Sequence, residues 1–297
     1  MSAAFPGNAR KTGYLTGAFR LFYLKGQPDG VIAPHYHSFH KLLFLIGGNL
    51  SYGIEGDRYT LLKDDIIFVK AGEVHAPVFD IPAPYERLIA YISPAFPGNG
   101  SLRLSEYPDL FSCFGREEGE RRSLIRLPSK AARPVLAVRD RCIAALKTGD
   151  PFSSLEQSAC LTELLILLNR HLAENRSEPS TPADLRIDPL IRKAVAFITQ
   201  HLDDEELSID LIAQGCFVSR SYLMHTFKNQ LGYTIGDYIA DKRLFLAGEM
   251  LSQGVSVTET CYRCGFRNYS AFYYAYRKKY GVSPSAGESS VQRVQEE

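Results

Sequence analysis

The sequence predicts an α+β chain of two domains: an N-terminal antiparallel β-barrel or sandwich extended by a helical segment, and an all-α C-terminal domain. Three observations carry this. Short β-branched and aromatic segments divided by Gly, Asp and Pro fill the N-terminal third. Leucines at helical spacing follow them, and one pattern is then written twice, from Ser219 to Gly232 and from Asn268 to Gly281.

Taken in order, the candidate strands are 41–46, 49–54, 58–62, 65–69 and 87–92, each bounded by turn residues. Short strands at that spacing belong to a small antiparallel barrel or sandwich. The next stretch, 133–147, carries Val135, Val138, Cys142 and Leu146. A second, 153–173, carries Leu161, Leu164, Leu165, Leu168 and Leu172 at helical spacing, with Ile166 and Leu167 adding another apolar face. One face is expected to cover the sheet and the other to meet a second copy, with Leu161, Leu164, Leu165 and Leu168 as the dimer seam. Residues 176–187, rich in Ser, Pro and charge, read as an exposed linker. The expected boundaries are therefore a barrel over 1–130, its helical segment over 131–175, the linker, a helical domain over 188–285 and a disordered tail over 286–297.

Each copy of the repeat has a helix N-cap (Ser219, Asn268), apolar residues four apart (Leu223 and Phe227; Phe272 and Tyr276) and a glycine stop. A short helix precedes each copy, over 208–216 and 256–264, separated from its partner by a tight corner. Two helices so joined form a helix-turn-helix. Residues 235–251 supply a longer helix between the two units. The sequence Gly265-Phe-Arg-Asn-Tyr-Ser-Ala-Phe272, followed by Tyr276 through Pro284, resembles the signature of AraC/XylS-type transcription regulators. In the linking helix Tyr238, Arg243, Leu244, Ala247 and Leu251 fit the same pattern. The resemblance spans about 188–285 and implies a double helix-turn-helix that binds double-stranded DNA.

Charge alone is a weaker pointer. The net charge is +1, although between 208 and 284 nine basic residues face five acidic ones. That excess gives moderate sequence-independent attraction to phosphate. With Leu223, Phe227 and Leu231 inward, the first recognition helix offers Arg220, Ser221, Met224, His225 and Lys228. With Phe272, Tyr276 and Tyr280 inward, the second offers Tyr269, Ser270, Tyr273, Tyr274 and Arg277, followed by Lys278 and Lys279. Tyrosines serve phosphates and thymine methyl groups better than they serve guanine, so the second helix is expected to position more than it reads.

The N-terminal segment His35-Tyr-His37-Ser-Phe-His-Lys41, followed by Gly48 and later by Ala71-Gly-Glu-Val-His75, resembles the two cupin motifs found in sensor domains of many AraC-type regulators. Strand alternation puts His35, His37, Phe39 and Lys41 on one face, which the resemblance turns inward beside His75. Three imidazoles form a candidate metal set, His35, His37 and His75. However, Lys41 stands where metal-binding cupins carry glutamate, and an ammonium beside a divalent cation is unfavourable. The favoured use is hydrogen bonding to a polar effector, sugar-like or anionic, with Lys41, Arg87 and Tyr91 contributing. A third use is mutual satisfaction inside a ligand-free barrel.

Composition fits this organisation. The 297 residues suffice for two cores, and 45% hydrophobic with 23% charged residues is ordinary for a globular protein. No run of about 18 apolar residues occurs, and the first residues lack a secretory pattern, so a cytoplasmic protein without membrane contact is expected. The six cysteines are scattered and read as reduced thiols; Cys261-x-x-Cys264 has no second ligand pair to make a zinc site. The expected protein is thus a ligand-responsive regulator without catalytic residues or cofactors, homodimeric, acting on promoter DNA and on RNA polymerase. The competing reading is a metal-dependent cupin enzyme, an oxygenase or isomerase, with a helical appendage.

Overall fold

A computed structural model of the chain describes residues 15, 17–26, 32–79, 84–94, 96, 109–114, 123–175 and 188–286. The expected linker at 176–187, and all but the first residue of the expected tail, lie outside this set. The chain divides into two compact units, residues 1–186 and 187–297.

The first unit contains β1 (Phe19–Gly26), β2 (His40–Gly47), β3 (Leu50–Ile54), β4 (Asp57–Leu61), β5 (Ile66–Val69), β6 (His75–Val78), β7 (Tyr85–Ile92) and β8 (Leu124–Ile125), then α1 (Ser129–Thr148) and α2 (Ser153–Glu174). The strands pair as a five-stranded sheet, β1-β7-β2-β5-β8, and a three-stranded sheet, β4-β3-β6. The expected closed barrel is therefore corrected to two facing sheets, the sandwich form of the same prediction. Their shared interior holds Leu43, Leu45, Ile67, Val69 and Ile89 from the larger sheet against Leu50, Tyr52, Ile54, Tyr59 and Leu61 from the smaller. Gly48 lets β2 pass into β3 at a close approach. Its φ is +98°, and a Cβ there would lie 2.7 Å from Cβ of Tyr85.

The opposite face of the larger sheet is also covered. Leu42, Phe44, Phe68, Leu88, Ala90 and Ile92 pack with Val135, Val138 and Cys142 of α1 and with Leu161, Leu164, Leu165 and Leu168 of α2. A strand covered on both sides has no polar face to alternate, which is why β2 is a nearly continuous apolar run. This packing overturns the expected dimer seam. Those four leucines are fully buried within their own unit, because the strongest apolar stripe of α2 is taken by the nearest apolar surface, the sheet. Arg139 of α1 reaches Asp64 at 2.5 Å, and Arg126 holds Asp65 through two hydrogen bonds of 2.7 and 2.9 Å, fixing the helical layer and β8 on the β4–β5 corner.

The second unit is helical: α3 (Pro189–Gln200), α4 (Ile209–Cys216), α5 (Arg220–Leu231), α6 (Ile235–Ser252), α7 (Val257–Arg263) and α8 (Tyr269–Tyr280). Each helix starts on a side chain that accepts a hydrogen bond from a backbone N–H of the first turn: Asp188, Ser208, Ser219, Thr234, Ser256 and Asn268. Caps of this kind contribute about 1 kcal/mol each and fix where each helix begins. Leu244, Ala247 and Leu251 of α6 pack with Cys261, Phe272 and Tyr276, so the linking helix is also the floor of the second helix-turn-helix. Arg243 donates to the carbonyl oxygens of Leu202 and Asp204 at 2.9 and 2.6 Å, closing the α3–α4 corner onto α6. No helix among the described residues is long and apolar enough to cross a membrane.

Candidate DNA-binding surface and effector site

On α5, Leu223, Phe227 and Leu231 are buried, which turns Arg220, Ser221, Met224, His225 and Lys228 to solvent. Arg220 pairs with Asp210 at 2.5 Å on the surface, and His225 Nε2 accepts from Asn229 Nδ2 at 2.8 Å. An exposed pair of this kind is worth little and can exchange its partner for a phosphate.

On α8, Phe272 and Tyr276 are buried, and Tyr280 donates its hydroxyl to the Leu244 carbonyl at 3.0 Å. Tyr274 is 70% exposed, Tyr269 is exposed and Tyr273 is half-buried beside it; Ser270, Arg277 and Lys278 face solvent. Lys279 departs from expectation. Its ammonium lies 2.9 Å from Oδ1 of Asp241 on α6, so it ties the recognition helix to the linking helix instead of standing free for phosphate. Sequence spacing placed it on the outward turn but gave no sign of the acid 38 positions earlier.

One residue of this unit escaped the sequence reading. Phe217 ends α4 in the left-handed region at φ 61° as a residue 86% exposed, and the Lys193 ammonium stands 4.4 Å from the ring centroid. The corresponding corner of the second copy is Gly265, also at positive φ. Aligning the two copies reveals the aromatic where a glycine would be expected.

In the first unit the two histidine segments do come together. His35 and His75 exchange backbone hydrogen bonds of 3.1 and 2.9 Å, and the Gly72 N–H donates to the His37 carbonyl. Ring centroids of His35 and His75 are 4.5 Å apart, and those of His37 and His75 4.7 Å. His37 stacks on Phe39, which meets Tyr91 of β7 at 4.5 Å. Lys41 is opposite Tyr91 in the β2–β7 register, and its ammonium lies 5.5 Å from the ring centroid of Tyr52 and 5.9 Å from that of Tyr91. Arg87, two positions from Ile89 on the same strand face, stacks over Tyr85 at 3.7 Å. Tyr52 was not singled out from the sequence, although its alternation with Leu50 and Ile54 aims it inward.

The electrostatics of this group are those of a dry interior. Burial, followed by the Lys41 charge, holds His37 and His75 well below the ordinary histidine range; burial also lowers His35. Lys41 itself is pushed down to about 7 by burial, with Arg87 adding to the effect. His37 Nε2, His75 Nε2, the Tyr52 hydroxyl and Arg87 Nε are buried without a hydrogen-bond partner in the protein. Buried polar groups are normally satisfied, so this concentration makes the cluster the candidate binding site of the unit. Among the described residues no group of three His, Cys, Asp or Glu side chains is arranged to hold a metal ion. The six cysteines are free and buried, with Cys264 Sγ 3.7 Å from the Met250 sulfur, as packing residues.

Two family models match the chain: an AraC-like ligand binding domain over residues 20–165 and a helix-turn-helix domain over residues 212–287. The two domains of an AraC/XylS-type ligand-responsive transcription regulator are thus both present, an N-terminal sensor unit and a C-terminal DNA-binding unit. It is 23% identical to the transcriptional activator RhaR of Escherichia coli K12 over 261 residues, covering 87% of each chain. Among solved structures, the C-terminal domain of AraT from Geobacillus stearothermophilus aligns at 28% identity over 35% of this chain and 88% of that one, with a TM-score of 0.34. The DNA-binding domain of AdpA in complex with a target DNA aligns at 26% identity over 37% and 98%, with a TM-score of 0.35.

Proposed function

We propose that α5 and α8 enter successive major grooves on one face of a duplex, about one helical turn or ~34 Å apart. The observation that carries this reading is the duplicated helix-turn-helix seated on one helix, with both recognition helices capped and their polar faces outward. Ser221, Met224 and His225 meet base edges; Arg220, Lys228, Arg277 and Lys278 meet phosphate; Tyr269, Ser270, Tyr273 and Tyr274 position α8. Lys279 is withdrawn from the contact set, since it serves Asp241.

The sensor unit binds a small polar effector, hydroxyl-rich or anionic, through His35, His37, Lys41, His75, Arg87 and Tyr91, to which Tyr52 is added. Effector binding shifts the population of DNA-binding states. The protein works in the cytoplasm as a homodimer and contacts RNA polymerase; that it activates is supported by its likeness to the transcriptional activator RhaR. Phe152 and Leu155, both exposed at the start of α2, supply apolar surface for a second copy in place of the buried leucines.

Hydroxyl-radical footprinting of a bound promoter by the full chain tests the DNA arrangement. Two protected segments about one turn apart are expected for each copy of the chain. A single protected segment would rule it out.

A further inference from the structure

The four histidines around β2 divide by tautomer. His40 Nδ1 accepts from the Ala71 N–H at 3.2 Å, so its ring proton is on Nε2, and its ring stacks on Phe111 as an ordinary core side chain. His35, His37 and His75 are the reverse. Their Nδ1 atoms face the carbonyl oxygens of Ala33, Phe39 and Glu73 at 2.9, 2.8 and 2.9 Å. A carbonyl only accepts, so each Nδ1 carries the proton and each Nε2 presents a lone pair.

The interior therefore offers two kinds of unmet group. His37 Nε2 and His75 Nε2 can only accept, while Arg87 Nε–H can only donate; the Tyr52 hydroxyl can do either. Beside them stands the buried ammonium of Lys41, on which Arg87 is the one charge that acts, and it acts in the same unfavourable sense as burial. Among the described residues no carboxylate acts on Lys41; those of the β3–β4 and β5–β6 connections accept from backbone, Glu55 from the Val74 N–H at 2.7 Å and Glu73 from the Lys70 N–H at 2.8 Å.

We infer that the effector is a hydroxy acid, which donates hydroxyl hydrogens to Nε2 of His37 and His75 and places its carboxylate against Lys41 and Arg87. This rests on the reading of the histidine cluster as the effector site and narrows it to one class. A simple carboxylate offers acceptors alone and leaves both imidazole lone pairs unmet. A neutral polyol satisfies the imidazoles and leaves Arg87, together with Lys41 in its protonated form, without a counter-charge. Leaving a buried polar group unmet is expensive, so each half-matched compound binds on the order of tenfold or more weakly. A metal ion would use the same lone pairs, but it would do so beside the Lys41 ammonium.

The test uses the full chain and matched probe sets: glycerate, glycerol and propanoate; gluconate, sorbitol and hexanoate; tartrate, threitol and succinate. Thermal stabilisation is read against concentration for each. The expected result is that at least one hydroxy acid stabilises the sensor unit, its two partners are at least tenfold weaker, and Lys41→Met removes the effect. Nitrogen-15 NMR of histidine-labelled protein is expected to show three rings with unprotonated Nε2 and protonated Nδ1, whether or not a ligand is bound. A neutral polyol or a plain acid that matches its hydroxy acid overturns the class while leaving the site in place. Stabilisation that survives both Lys41→Met and His75→Phe overturns the site itself. No response from any probe, histidines protonated on Nε2, or a stoichiometric transition metal held by the three rings likewise overturns the proposal.

Discussion

The Lys279 ammonium lies 2.9 Å from the Asp241 carboxylate, which joins the last turn of α8 to α6. Adjacent Lys278 is exposed and makes no such link. Two neighbouring lysines in one basic run therefore do different work. Lys278→Ala is expected to lower affinity for all DNA sequences and to flatten the salt dependence by about 0.9 in the log–log slope. Lys279→Ala is expected to change that slope less and to lower the melting temperature of the C-terminal unit more. Equal slope changes in salt titrations would show that both lysines serve phosphate.

Gly265 occupies φ +78°, and a Cβ there would meet the Leu202 carbonyl oxygen at 2.7 Å and the Arg243 guanidinium at 2.8 Å. Both the backbone conformation and the space demand glycine. Gly265→Ala is expected to destabilise the C-terminal unit by about 2 kcal/mol or more, since strain and displacement of Arg243 add. Chemical denaturation followed by far-UV circular dichroism measures it, and a loss below about 0.5 kcal/mol would contradict the packing.

Leu165 is fully buried under the larger sheet, whereas Leu155 on the same helix is exposed. Leu165→Ala is expected to cost about 2–5 kcal/mol through the lost contacts and residual cavity. Leu165→Glu should unfold the sensor unit and not merely release a folded monomer. Leu155→Glu should leave the melting temperature within the range of ordinary surface changes and weaken self-association. Sedimentation and thermal melts of the three variants separate these outcomes.

The C-terminal unit was legible because its information is local. Caps at Ser219 and Asn268, the i, i+4 apolar pairs and the glycine stops all act within a dozen residues, and the repeat states them twice. The β2 segment was legible as a strand for the same reason. What stayed hidden depends on contacts distant in sequence. Nothing near Leu161 reveals that a sheet will cover it, so an apolar stripe of α2 fits a core or a dimer equally well from sequence. The Lys279–Asp241 pair and the approach of Tyr52 to Lys41 are likewise products of tertiary packing. The histidine cluster was half legible: alternation placed His35, His37 and Lys41 together, whereas the tautomers follow from carbonyl positions that only the folded backbone fixes.

Acid should loosen the sensor unit through its histidines. Burial, then the Lys70 charge, lowers His40 from its ordinary value to about 4, and His37 and His75 shift in the same direction. A base with a depressed folded-state pKa takes up protons more readily when unfolded. Its contribution is thus fully present above about 6.5 and is lost as pH falls from there toward the folded value. For His40 this amounts to at most about 3 kcal/mol between pH 6.5 and 4. His40→Gln, which keeps an acceptor for the Ala71 N–H, should flatten the decline without abolishing it. Melting temperatures measured across that range check this, and an identical decline in the variant would exclude His40 as a contributor.

The two recognition helices should fail differently when altered. His225 is exposed on α5, where Leu223 and Phe227 fix the helix from below, so His225→Ala is expected to cost about 1–3 kcal/mol at a preferred base pair and little elsewhere. On α8, Tyr276 and Tyr280 hold the helix to α6, whereas Tyr274 is 70% exposed and is one of the DNA contacts proposed above. Its hydroxyl can donate to phosphate or its ring can press on a thymine methyl group. Tyr274→Phe removes the first contact and keeps the second. If phosphate is the partner, Tyr274→Phe should weaken binding to every duplex about as much as Tyr274→Ala does. If the methyl group is the partner, Tyr274→Phe should bind like the parent, and replacing thymine by uracil in the α8 segment should weaken the parent but not Tyr274→Ala. The positioning role assigned to α8 requires the first pattern, and the second would make this helix a reader of sequence.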